Sequence, residues 1–180
     1  MADNYLEKRM DDYAHGRLST KTTSSARRSG YASIKYPHQQ VLILNCDASP
    51  AGEAVLRILV EAGSTVCFTA FDRKKGNRMA QGCGGRFYPL ALSAVAADME
   101  RRGEKLDTII IVNPESIKEA IDDSVFMSPR RWLVISDNDV IEVPEDVACA
   151  VLSGYSTEAT AVLALALVHP AVNVRGLIKP

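Results

Sequence analysis

A chain of 180 residues, 47% hydrophobic and 24% charged, has the composition of an ordinary globular protein, long enough for one sizeable core and too short for two. Its formal net charge of −1 argues against the positive surface of a general nucleic-acid binder. Cys46, Cys67, Cys83 and Cys149 are scattered, with no C-x-x-C pair and no histidine at ligand spacing, so neither a disulfide framework nor a zinc site is indicated and a reducing, cytoplasmic compartment is expected. The N-terminus mixes acids with bases around no apolar core, which does not read as a signal peptide, and no apolar run approaches membrane-spanning length.

Residues 1–40 read as an arm and linker. Within them 4–17 form a short helix by spacing, with Leu6, Met10 and Tyr13 on one face. So thin a stripe must dock on its own domain or a neighbouring subunit, or stay partly without order. Residues 19–33, rich in Ser, Thr and Arg, read as a linker of low order. The arm carries an excess of bases (Lys8, Arg9, Arg17, Lys21, Arg27, Arg28 and Lys35), read as a solvated tail or subunit contact.

Residues 41–180 read as one domain. The unbroken aliphatic run 41–44 predicts a strand buried on both faces. Ser49 as N-cap, Pro50 at the first helical position and Glu53 in the first turn predict a helix, with Val55, Leu56, Leu59 and Val60 inward and Gly63 closing it. A second strand follows over 64–71, then a charged turn, Asp72 to Gly76, a short helix around 77–80, and a third strand near 86–89. A helix over 91–102 leads to the apolar strand 108–112. Asn113 as cap and Pro114 predict a helix to about Met127, followed by a fifth strand, 132–135. After an acidic segment (Asp137, Asp139, Glu142, Glu145 and Asp146) comes a helix over 157–169, apolar nearly all round, and a last strand over 172–178. Apolar strands alternating with helices predict a three-layer, doubly wound α/β fold with a parallel sheet of about six strands in the order 3-2-1-4-5-6; a flavodoxin-like order is the alternative.

Three stretches resemble the short-chain dehydrogenase/reductase family, in truncated and degenerate form. Val41-Leu-Ile-Leu-Asn-Cys-Asp-Ala-Ser-Pro-Ala-Gly-Glu-Ala is similar to its first strand, cofactor turn and helix. Leu106-Asp-Thr-Ile-Ile-Ile-Val-Asn is similar to its "D-x-L-V-N-N-A-G" strand. Tyr155-Ser-Thr-Glu-Ala-Thr-Ala-Val-Leu, with Asn173-Val-Arg-Gly-Leu-Ile-Lys-Pro, is similar to its "Y-x-x-x-K" helix and "R-V-N-x-I-x-P-G" strand. The resemblance implies a Rossmann-like domain and a crevice for NAD or NADP formed by Asn45, Asp47, Ser49, Gly52, Asp72, Arg73 and Asn113. It also implies Tyr155 and Ser136 as vestiges of the catalytic tyrosine and serine, and a homodimer or homotetramer through helix 157–169. No metal is implied.

The matched positions depart from the family pattern where chemistry is carried. Of three turn glycines only Gly52 remains, one residue late, with Asn45 in place of the first and Ser49 or Pro50 in place of the second. The amides at the helix start could attract an anion, and Asp47 would oppose it. Asp72 follows Gly52 by about twenty residues, a separation suited to a ribose hydroxyl, although Ala70 is the strictly aligned position and a surface acid is the plainer reading. Asn113 is better explained as a helix cap. Four residues after Tyr155 stands Ala159, not lysine, so its phenol lacks the cation that would ease proton transfer. Asp137 beside Ser136 would repel developing negative charge. Cys46 at the turn reads as a core residue, and the acids at 137–142 lack the spacing of a calcium loop. The expectation is a non-catalytic binding or assembly protein on an oxidoreductase scaffold; the alternative is an NAD(P)-dependent oxidoreductase with an altered site.

Overall fold

The computed structural model describes residues 36–89, 91–138, 147–173 and 176–178. The described residues all belong to one compact unit, which begins at Tyr36. The expected arm helix, the linker and most of the acidic segment lie outside the described residues.

The unit is built from β1 (Gln40–Leu44), α1 (Pro50–Glu61), β2 (Thr65–Phe68), α2 (Arg73–Cys83), β3 (Arg86–Phe87), α3 (Leu92–Arg101) and β4 (Thr108–Val112). After these come α4 (Ile117–Asp122), a 3-10 turn (Val125–Met127), β5 (Arg131–Ser136), β6 (Cys149–Ser153), α5 (Thr157–Val168) and β7 (Gly176–Ile178). All strand pairs are parallel, and the sheet runs β3-β2-β1-β4-β5-β6-β7. The first six strands thus take the expected order, 3-2-1-4-5-6. Alternate side chains of each strand feed different cores. Val41 and Ile43 face α1, α2 and α5, whereas Leu42 and Leu44 face α3 and α4, which is why the run carries no polar alternation. Leu42, Ile43, Ile109 and Ile110 are fully buried, each stabilising the fold by about 2 kcal/mol through lost apolar exposure.

Local signals placed most of these elements. Ser49 caps α1 by accepting from the Ala51 amide, with Pro50 at the first position, and Gly63 follows at φ +90°, a left-handed turn that suits glycine. Two expectations are corrected. Asp72 to Gly76 is not a free turn: Asp72 is the N-cap of α2, its carboxylate accepting from the Lys74 and Lys75 amides. Nor does Asn113 cap a helix, because it stands at φ +45°; α4 begins three residues later, capped by Ser116, and ends at Asp122.

β6 has no counterpart in the sequence reading, which takes 172–178 as the strand after 132–135. Its insertion moves α5 from the connection between the fifth and sixth strands to that between the sixth and seventh. The chain steps one way across the sheet from β1 to β2 and the other way from β6 to β7, yet α1 and α5 pack together on one face. The two crossovers therefore have opposite hands. With β1-α1-β2 right-handed, as nearly all such units are, β6-α5-β7 is left-handed.

Candidate functional site

In an open parallel sheet the ligand crevice lies beyond the carboxyl ends of the strands, where the chain order reverses. Here that point is between β1 and β4. Asn45 follows β1 at φ +56°, a conformation that asparagine tolerates better than most residues, so it serves the backbone role of the expected first glycine. Its amide donates to Thr69 Oγ1 at 3.1 Å, and the Cys46 amide to the Thr69 carbonyl at 2.9 Å, tying the ends of β1 and β2. Gly52 is buried, and a Cβ there would lie 2.2 Å from the Cys46 carbonyl oxygen. It is retained for the close approach of α1 to the turn. The Cys46 thiol donates to the Gly52 carbonyl at 3.3 Å; burial, with Asp47 adding to it, pushes the thiol well above the usual range, which suits a core residue rather than a nucleophile.

Asp47 reaches across to the β2–α2 turn. Its two carboxylate oxygens accept from the Phe71 amide at 2.8 Å and the Asp72 amide at 3.0 Å, while Lys75 Nζ donates to the Asp47 carbonyl at 2.9 Å. Asp72 is in turn occupied by the first amides of α2, and Arg73 opens that helix in an exposed position. The donors an anion would need at this turn already serve two carboxylates of the chain itself. A phosphate placed there would meet negative charge, and the Asp72 carboxylate that could accept from a ribose hydroxyl already accepts from the Lys74 and Lys75 amides, so the residues present fit a dinucleotide poorly.

The ends of β4 and β5 are closed in the same way. Asn113 Nδ2 donates to Asp137 Oδ2 at 2.6 Å, and the Asp137 amide donates to Asn113 Oδ1 at 2.8 Å, a two-point clamp across neighbouring strand ends. Ser136 is buried, its hydroxyl accepting from the Asn138 amide at 3.1 Å, and Ser153 donates to the Asn138 carbonyl at 3.0 Å. Tyr155 lies just past β6 and before the Ser156 cap of α5. It packs as a partly buried apolar group against the core on the α1 side. The structure thus sets Tyr155 ahead of a helix that follows the sixth strand, not in the crossover after the fifth that the resemblance implies.

A cavity of about 310 Å³ opens at this edge, among Leu44, Asn45, Thr69, Phe71, Ile111 and Asp123. Asp47 and Pro50 do not line it. Phe71 is 75% exposed beside it. A larger cavity, about 430 Å³, lies elsewhere, between the end of α3 and the 3-10 turn, and holds none of these groups. The sequence reading missed Thr69 and Lys75, whose roles rest on reach between turns 24 to 28 residues apart in the chain. Among the described residues no three potential metal ligands converge, and no helix is long and apolar enough to cross a membrane.

No protein-family model matches the chain, and no curated protein matches it. Solved structures do. Over 78% of this chain and 92% of the other, it superposes on a putative NAD-dependent epimerase/dehydratase from Bacillus halodurans with a TM-score of 0.58 at 8% identity. The Pseudomonas aeruginosa RhlG/NADP active-site complex gives a TM-score of 0.57 at 13% identity, over 78% and 94% of the chains. A metagenomic short-chain oxidoreductase in complex with NADP gives 0.53 at 15% identity, over 79% and 97%. The chain therefore has the Rossmann-like fold of the short-chain dehydrogenases/reductases.

Proposed function

We propose that this chain is a non-catalytic protein on a short-chain dehydrogenase scaffold, acting by binding or assembly in the cytoplasm. The observation that carries the reading is the Asp47 carboxylate, held on the Phe71 and Asp72 amides, which fixes a negative charge beside the turn between β1 and α1 where a diphosphate would lie. The Asn113–Asp137 clamp and the absence of a lysine four residues after Tyr155 support it, and the free thiols suit a reducing compartment. The test is titration calorimetry with NAD⁺, NADH, NADP⁺ and NADPH. No heat with any of the four is the expected result; micromolar binding together with reduction of a carbonyl substrate would refute the reading.

The second reading, an NAD(P)-dependent oxidoreductase with an altered site, is favoured by one observation: the positive φ of Asn45 keeps the shape of the first turn beside the cavity of about 310 Å³. In that case Gly52, Asp72 and Tyr155 remain the groups that would position coenzyme and substrate. Binding of one coenzyme without turnover would mark a nucleotide-responsive regulator.

A further inference from the structure

We propose that the turn from β2 into α2, with the cavity beside it, is a docking surface for an acidic peptide segment of a partner protein, anchored by one apolar side chain. The inference rests on the non-catalytic reading, since a coenzyme and a peptide would compete for the same strand ends. α2 carries Arg73, Lys74, Lys75 and Arg78 and no acid in its eleven residues, although the whole chain has a net charge of −1. Cations in the first turn of a helix oppose its dipole, so the fold gains nothing from Arg73 and Lys74 there. Lys75 turns inward to the Asp47 carbonyl. Arg73, Lys74 and Arg78 are exposed, and among the described residues no ion pair involves them.

Phe71, two residues before Arg73, is 75% exposed. Its backbone is fixed on both sides: the Asp47 carboxylate holds the Phe71 and Asp72 amides, and the Asp72 carboxylate holds the first amides of α2. The contacts that close the turn to a coenzyme therefore present an aromatic ring to water on a rigid support, which leaves little ordering to be lost on binding. Aromatic rings and arginines together mark the centres of protein interfaces. Beside Phe71 the cavity of about 310 Å³ is floored by Leu44, Leu92, Ile111 and Ala120, a receptacle for one apolar side chain. Charge selects the partner. The α2 side is basic, whereas Asp123 stands in the cavity lining. A nucleic-acid strand carries a charge at every phosphate and an anionic lipid surface is charged throughout, so either would bring negative charge against Asp123. A peptide can confine its acids to one side of its anchor, over Arg73, Lys74 and Arg78, and leave a neutral or basic residue at Asp123.

Fluorescence anisotropy of the full chain with labelled peptides of about twelve residues tests the proposal. Each peptide places a block of acids before or after a single Leu, Met, Phe or Trp. The expected result is saturable binding to one of the two orders, weakened by salt and lost when the anchor becomes Ser or the acids become Lys. Lys74→Glu combined with Arg78→Glu should weaken binding by about tenfold or more. An acid in the first turn of α2 suits the dipole, so the urea midpoint should not fall, which separates lost binding from lost fold. Phe71→Ala should weaken binding to a similar extent. Lys105→Glu, at an exposed residue just before β4 and so at the other end of the sheet, should leave it unchanged. No binding in either order, binding that survives the α2 exchange or Phe71→Ala, equal loss with Lys105→Glu, or tighter binding of oligothymidine or phosphatidylserine vesicles would overturn the proposal. Peptide failure without coenzyme heat removes this inference alone, whereas peptide failure together with coenzyme turnover removes the non-catalytic reading as well.

Discussion

Gly52 and Asn45 show two ways in which a turn constrains a single residue. Asn45 holds a left-handed backbone that asparagine can adopt, so the first glycine of the pattern could be replaced. Gly52 cannot, because the space its Cβ would take belongs to a backbone carbonyl that has nowhere to go. Alanine normally favours a helix interior by about 1 kcal/mol over glycine, yet here overpacking wins. Gly52→Ala is expected to lower stability by about 2 kcal/mol, read as a fall in the urea midpoint at unchanged slope. Part of this was legible beforehand: the departure from the glycine pattern and the acidity of Asp47 stand in the sequence. That the Asp47 carboxylate ends on the Phe71 and Asp72 amides does not, since it depends on how two turns are brought together.

At the scale of elements, α3 is held to the edge of the sheet by a polar network rather than by apolar burial alone. The Asp98 carboxylate accepts from the Tyr88 hydroxyl at 2.6 Å and pairs with Arg101 and with Arg102, the latter at 2.9 Å. These partners, the Tyr88 hydrogen bond first, hold the Asp98 carboxyl down at about 2. An unfolded aspartate titrates near about 3.9, so the folded form binds its proton less readily. The stabilisation is present above about pH 4 and is lost as pH falls through about 2. Both arginines are substantially exposed, so the effect is modest and screened by salt. Asp98→Asn should flatten that acidic limb in urea midpoints measured between pH 2 and 6, while wild type keeps it. The opposite element, α5, is pinned at its end by Arg131, a residue that its place at the start of β5 gives no reason to single out. The carbonyls it serves lie 36 to 41 residues further on.

For the molecule as a whole, the sheet separates two cores that share their central strands: β1, β4, β5 and β6 each give side chains to both faces. Neither core can melt while the other keeps those strands in register, so the described unit should unfold in one transition. Trp132, the only tryptophan, reports on the α3–α4 side, buried with its Nε1 donating to Ser124 Oγ at 2.9 Å, whereas far-UV circular dichroism reports on all helices. Coincident urea transitions by the two probes are expected; an earlier loss of ellipticity would mean that the α1–α5 layer opens separately.

Hydrophobic periodicity and cap chemistry, both local properties, were enough to determine most of the alternation of strands and helices and the start of α1 at Ser49 and Pro50. Only the tertiary structure decided which polar residues face one another and on which side of the sheet α5 lies. Cys149–Ser153 illustrates the division. Its five residues, Cys-Ala-Val-Leu-Ser, are short and small enough to pass for a loop end or a helix start. They become a strand through pairing with β5 from Trp132 to Ser136. That pairing displaces α5 by one connection, turns its crossover left-handed and takes Tyr155 out of the setting that its sequence neighbours suggest, because strand order is set by long-range pairing that no local pattern contains.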